Sequence, residues 1–253
     1  TMLFGGTNSG VALALAKVAQ EKKRVYINNG AGSSALTNDQ CNPYTIHYAY
    51  DTVALAKGTG KAVVEAGGKS WFFLTADYAF GHALERDTMN FVRAAGGRVL
   101  GNVRTPFPGT TDFSSFLVQA QASRAKVIGL ANAGQDTTNC IKQAAEFGLT
   151  RRGTKLAALL MFINDVHSIG VNNAAGLQLA DSWYWNQDDE SRKFADKFMA
   201  KTKRRPSEIQ AADYSATMTW LQAAQRAGTL EASTAPLRSM ILPRVAASVS
   251  VRS

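Results

Sequence analysis

Residues 70–97, SWFFLTADYAFGHALERDTMNFVRAAGG, constrain the fold of this chain more than any other stretch. The apolar run Trp71–Leu74 has the length and composition of a buried strand. Thr75–Gly81 breaks it with polar, aromatic and small residues, and an amphipathic helix then runs to Ala95 and stops at Gly96–Gly97. Strand, loop and helix in that order are the repeating unit of a parallel α/β sheet, in which ligands sit just past the carboxyl ends of the strands.

The same unit recurs along the chain. Residues 2–4 read as a strand stub, followed by the loop Gly5–Ser9 and a helix to about Gln20, with Asn8 or Ser9 as its N-cap. Residues 24–27 form the next strand, ending in Asn28-Asn29-Gly30-Ala31-Gly32-Ser33-Ser34. Residues 45–50 are extended and aromatic, and a helix follows from Asp51 to Gly67. Further strands are expected at 98–103, 126–130 and 156–161, with a helix from Thr111 to about Ala120 and, after the loop Ala131-Asn132-Ala133-Gly134-Gln135-Asp136, a helix to Phe147. Residues 176–185 read as extended, then come helices from Asp188 to about Lys201 and from Ser207 to Gly228. The aromatic segments 45–50 and 180–185 bracket five strand–helix units and are expected to cross between two lobes. Residues 229–253 follow neither period, which leaves open an irregular tail or a sequence out of frame.

Composition narrows the function. The 253 residues carry a formal charge of +9, but Lys22-Lys23-Arg24, Arg151-Arg152 and residues 201–205 fall at helix ends or loops rather than in a stripe. That pattern suits a solvated surface and argues against a nucleic-acid partner. No run of 18 apolar residues suggests membrane insertion. Cys41 and Cys140 stand apart, with no Cys-x-x-Cys pair and no histidine at metal-ligand spacing, so two free thiols and no metal are expected. His47, His82 and His167 are scattered, Gly5–Gly10 lacks the dinucleotide spacing, and Ser33-Ser34 lacks a nucleophile elbow. No catalytic residue is assigned, no cofactor is implied, and the chain is not expected to be an enzyme.

Six segments carry a resemblance: GGTNSGVALA, INNGAGSSALT, FFLTADYAFGHALE, TDFSSFLVQAQAS, KVIGLANAGQDTTNCIKQAAEFGL and YSATMTWLQAAQRAG. Together they resemble the branched-chain amino-acid-binding family of periplasmic ABC importer proteins, in the branch associated with amino acids and small aromatic acids. The resemblance spans about residues 2–228. It implies the type I periplasmic-binding fold: two doubly wound, Rossmann-like parallel-sheet lobes joined by a hinge. Lobe 1 would be 1–46 plus 183–228 and lobe 2 would be 49–180. Family members carry a strand–helix–strand before the position of Leu3, so lobe 1 is expected to be incomplete.

The resemblance also implies a binding site. Lobe 1 would hold a carboxylate and amine with Asn8, Ser9, Gly30, Ala31, Gly32 and Ser33. Lobe 2 would close with Asp77, Tyr78, Phe80, Asn132, Gly134, Asp136, Phe162, Asn164 and Asp165. Phe80 stands where relatives carry a stacking Tyr, and it serves the ligand or the core. Asp165 meets an ammonium group or caps the following helix. Trp185 forms an apolar wall or packs the hinge. The implied partners are an amino acid or aromatic acid and ABC permease subunits, with periplasmic localisation. A ligand-sensing domain of a receptor or regulator is the alternative.

Overall fold

In the computed structural model, residues 2–230 are described. In chain order the elements are β1 (Met2–Phe4), α1 (Ser9–Glu21), β2 (Val25–Asn28), β3 (Thr45–His47), α2 (Thr52–Leu55), α3 (Ala62–Glu65), β4 (Ser70–Ala76), α4 (Ala79–Ala94) and β5 (Arg98–Thr105). Then come α5 (Ser114–Ala122), β6 (Val127–Ala131), α6 (Gln135–Glu146), β7 (Lys155–Ala158), α7 (Ile163–Ile169), α8 (Val171–Ala174), α9 (Asp189–Thr202) and α10 (Glu208–Ala227). The chain divides into two compact units, Thr1–Asp51 with Ser182–Ser253, and Thr52–Asp181.

The first unit holds a parallel sheet of order β1-β2-β3, with Tyr26 of β2 in register with Leu3 and Thr45. Successive side chains of a strand point to opposite faces, and β2 uses both. Val25 and Ile27 pack with Ala216, Trp220, Ala223 and Ala224 of α10, while Tyr26 packs with Ala12, Ala16 and Ala19 of α1. Burial on both faces explains why β2 is a continuous apolar run and not an alternating one. Asn8 caps α1, its Oδ1 accepting from the N–H groups of Gly10 at 2.9 Å and Val11 at 3.3 Å. The α9 start is capped likewise, by Asp188 accepting from Ser191 N–H at 2.7 Å.

The second unit holds the parallel sheet β5-β4-β6-β7. All seven residues of β4 are buried. Phe72 and Leu74 join Ile128, Leu130 and Leu156 in a core completed by Leu117 of α5 and Ile141 of α6. On the other face Trp71 and Phe73 stack at 5.7 Å, over the bare backbone of Gly129, where a Cβ would lie 2.7 Å from the Phe73 ring. Each such buried side chain contributes about 1.5–3 kcal/mol of transfer free energy. The α/β class follows from these parallel, doubly covered sheets.

Several local expectations change. Residues 45–50 yield a strand only over Thr45–His47. Residues 176–185 form no strand; a single parallel bridge joins Gln178 to Ala157. The strand expected at 156–161 ends at Ala158, and two short helices, α7 and α8, lie between it and Gly176. The interval expected to hold five strand–helix units holds four strands, β4 to β7. The helix from Thr52 is interrupted by a π-helical turn, Ala56–Lys61, where Gly58 approaches the Ala180 methyl and Gly60 the Thr88 methyl. Residues 231–253, most of the expected tail, lie outside the described residues.

Candidate functional site

Topology places the candidate site in the second unit. β4 is followed in sequence by β5 on one side, while β6 lies on the other. The loops leaving β4 and β6 therefore diverge at a switch point, the place where open α/β sheets receive their ligands. The loop after β4 carries Asp77 and Tyr78; the loop after β6 carries Asn132, Gly134 and Asp136. Gly81 permits this arrangement. In the first turn of α4, a Cβ on Gly81 would lie 2.0 Å from the Ala76 carbonyl oxygen and 3.1 Å from that of Ala131. The helix thus starts directly on the backbone of both strand ends.

Tyr78 is half-buried and stacks on Phe107 at 4.0 Å with the rings 11° from parallel. Burial and the nearby Asp136 charge push its phenol up to about 12, so it stays protonated at neutral pH. Phe80 is 3% exposed and tilts against Tyr78 at 6.0 Å. Phe80 thus packs behind Tyr78. Asp77 is exposed and meets His82 at 2.7 Å.

The loop after β6 is more deeply buried. Asn132 is fully buried, and its Oδ1 accepts from the Thr137 hydroxyl at 2.8 Å. Its Nδ2 has no hydrogen-bond partner. Gly134, at φ 59°, is the N-cap of α6 and offers no side chain to the helix end. Asp136, in the first turn, is 7% exposed, and its Oδ2 is also without a partner. Desolvation raises its pKa. Burial likewise pushes up the thiol of Cys140, one turn further along α6; Cys41 is free and exposed.

The third loop of this unit follows β7. Asp165 accepts from the Phe162 N–H at 3.0 Å, while Asp165 N–H donates to the Phe162 carbonyl at 2.9 Å. Its carboxylate therefore caps α7, and Asn164 lies within the same first turn. A separate pocket runs along the flank of α4, lined by Glu85, Met89, Arg93 and Arg104 among others. Its buried Glu85 is already paired with Arg104 at 3.2 Å and hydrogen-bonded by Asn102, so its charge is met within the protein.

In the first unit, the loops after β1 and β2 meet. Ser9 is buried and its Oγ accepts from Ser33 N–H at 3.2 Å; Ser33 Oγ in turn caps a short 3₁₀ turn through Ala35 N–H. Asn8, by contrast, is exposed and engaged in capping. Gly30 passes close to Thr7, where a Cβ would lie 3.1 Å from the Thr7 Cα. Ala31 is clamped from both sides by Asn28, whose Oδ1 accepts at 3.1 Å and whose Nδ2 donates at 2.6 Å; Gly32 is buried next to it. Asn29 Nδ2 donates to Asp213 at 2.9 Å, and the Tyr50 hydroxyl donates to the Gly30 carbonyl at 2.9 Å. His47 sits in register with Asn28, and burial lowers its pKa against the opposing influence of Asp51. Trp185 is half-buried with the Arg205 guanidinium 5.4 Å from its ring centre.

Sequence reasoning misses Phe107, Asp213 and Tyr50 as supports of these loops. Phe107 alone carries a local signal, an aromatic residue in the loop Pro106-Phe107-Pro108-Gly109 directly after β5. Among the described residues there is no group of three or more His, Cys, Asp or Glu able to hold a metal, and no helix is long and apolar enough to cross a membrane.

The sequence profile of the periplasmic binding proteins matches residues 1–243. The chain belongs to the periplasmic binding protein family. A crystal structure of a periplasmic binding protein from Burkholderia mallei is 60% identical with a TM-score of 0.91, over 94% of this chain and 63% of that one. A branched-chain amino acid ABC transporter periplasmic ligand-binding protein from Burkholderia xenovorans LB400 is 34% identical, TM-score 0.81, over the same shares of 94% and 63%. An ABC transporter solute-binding protein from Rhodopseudomonas palustris BisB5, solved with 3,4-dihydroxybenzoic acid, shares the fold at 22% identity and TM-score 0.83, over 93% of this chain and 64% of that one. The chain thus spans a little under two thirds of these relatives' lengths. No protein of curated function matches it.

Proposed function

We propose that this chain is an extracytoplasmic solute-binding protein that takes an amino acid or small aromatic acid and delivers it to an ABC importer. The observation that carries the reading is the switch point past β4 and β6. There an aromatic pair, Tyr78 and Phe107, shares a switch point with buried polar atoms of Asn132 and Asp136 that nothing in the protein satisfies. A flat apolar face with a few polar groups is what a small, specific ligand needs. The 34% identical Burkholderia xenovorans protein, a branched-chain amino acid ABC transporter ligand-binding protein, supports the transport assignment. In this reading Ser9, Ser33 and the backbone of Gly30–Gly32 supply the first unit's contacts, and Asp77, Tyr78, Asn132, Gly134 and Asp136 the second's. The site binds and releases without chemistry, in a periplasmic setting.

The test is thermal melting of the chain with single amino acids and hydroxybenzoates at 1 mM. A ligand with a micromolar dissociation constant stabilises by about 4 kcal/mol at a thousandfold excess and raises the midpoint by several degrees. A panel in which none of these compounds moves the midpoint overturns the assignment.

A further inference from the structure

The second sheet ends on β5, which bonds to β4 on one side and, among the described residues, to no strand on the other. It is eight residues long, and a long free edge is a template for a further strand. The Thr105 carbonyl accepts from Asp77 N–H at 2.9 Å, on the β4 side. Backbone groups of successive residues alternate sides along a parallel strand, so those of Asn102 and Arg104 turn outward from the sheet. The side chains of these two residues reach over to α4, where Asn102 donates to Glu85 and Arg104 pairs with it at 3.2 Å. Val103 turns to the opposite face and packs against the core that holds Leu117 of α5.

The charge along this edge has one sign. α4 and β5 contain two acids, Glu85 and Asp87, and both are buried and paired, Glu85 with Arg104 and Asp87 with Arg86 at 2.9 Å. Every Lys, Arg, Asp or Glu of these two elements that reaches solvent is an arginine: Arg86, Arg93, Arg98 and Arg104. Neither Arg93 nor Arg98 has an ion pair among the described residues. Arg93 and Arg104 line the pocket of about 130 Å³ on the flank of α4, with Met89 and Asn90 between them. Like charges facing each other across strands repel. The arginines therefore turn away a second copy of the same edge and leave it open to a segment of opposite sign.

We propose that the edge of β5 is a docking site for an extended acidic segment of a partner protein, which adds a strand to the sheet β5-β4-β6-β7. The outward backbone groups of Asn102 and Arg104 supply the main-chain bonds, and side-chain alternation supplies the selectivity. Every second residue of the added strand lies on the α4 face and brings a carboxylate to Arg93, Arg98 and Arg104. The residues between them share the face of Val103 and are apolar. This surface is separate from the loops after β4 and β6 and works whichever ligand those loops take.

The experiment is fluorescence anisotropy on the full chain at low salt with labelled, end-capped peptides: Thr-Glu-Val-Glu-Val-Glu-Thr, the same peptide with Lys for Glu, and a scramble of the first that groups its acids together. The alternating acidic peptide should bind at least ten times more tightly than either of the others. Amide exchange at Asn102 and Arg104 should be fast in the free chain and slow in the complex. Arg93→Glu with Arg98→Glu, two exposed positions without ion pairs, should weaken the acidic peptide at least tenfold and remove the salt dependence of its binding. No binding of the acidic peptide, equal binding of the lysine peptide or the scramble, or an affinity that survives the double variant overturns the proposal. So does binding that leaves exchange at Asn102 and Arg104 unchanged, or slow exchange there in the free chain, which would mean that the chain covers the edge itself. The peptide comparison on the native chain needs no variant, so a poorly folded double variant leaves the test decisive.

Discussion

The two units meet the same task, holding loops at the ends of a parallel sheet, by opposite means. In the first unit the loops are tied to each other: Ser9 to Ser33, Asn28 to Ala31, Tyr50 to Gly30, Asn29 to Asp213. In the second the loops are carried by the sheet, with all of β4 buried and α4 seated on the strand ends through Gly81. The contrast follows from the strands. β1 to β3 are three or four residues long and supply little fixed backbone beyond themselves, so side-chain bonds do the fixing. β4 and β5, at seven and eight residues, position their ends without such help. The difference lies in what fixes the loops and not in how completely their polar groups are used: Asn29 Oδ1 is unmatched in the first unit as Asn132 Nδ2 and Asp136 Oδ2 are in the second.

The largest expected effect tests the scaffold side of that contrast. Phe80 is buried behind Tyr78, so Phe80→Ala should cost about 3–5 kcal/mol of stability, as truncation of a buried Phe does elsewhere. Urea denaturation followed by Trp71 fluorescence reads it. A stability change under about 1 kcal/mol, together with a marked loss of ligand affinity, would instead place Phe80 on the ligand and break the comparison.

A smaller effect is expected in the first unit. Asn28→Ala removes both bonds to Ala31 and leaves a buried N–H and C=O without partners, at a cost of about 2 kcal/mol. Amide exchange at Ala31 and Gly32 should quicken while that of β4 stays unchanged. Uniform slow exchange would mean the loop does not depend on the clamp.

How much of this was legible in the sequence depends on how local each signal is. Residues 70–97 show their fold because the apolar run, the break and the helical period all lie within the segment. So does the Asn8 cap, where a short polar side chain reaches N–H groups two and three residues on. Residues 176–185 look extended by composition but find a partner only at Gln178, because a strand exists through its neighbour. The π-helical turn at Ala56–Lys61 is set by what Gly58 and Gly60 approach, Ala180 and Thr88, and no period in the sequence reports that. In the site, Tyr78, Asn132 and Asp136 were in view as loop residues. That Asp136 lacks a counter-charge while Asp165 is a cap is a matter of distances.

The smallest expected effect is the sharpest test of what the second unit's surface is for. Tyr78→Leu keeps an apolar side chain over Phe107 but removes the flat ring that lies 4.0 Å from it. Tyr78 is half-buried, and an aromatic pair is worth about 0.5–1.5 kcal/mol beyond its area. Stability should therefore fall by about 1 kcal/mol, well short of the Phe80→Ala loss. Affinity for an aromatic ligand should fall about three- to tenfold on the same scale, and affinity for an aliphatic one should hold. Tyr78→Phe separates the ring from its hydroxyl: if the ring carries the contact, this variant keeps the aromatic affinity. If both variants bind aromatic and aliphatic ligands alike, the Tyr78–Phe107 stack is scaffold, and the unmatched polar groups beside it stand alone as the unit's recognition surface.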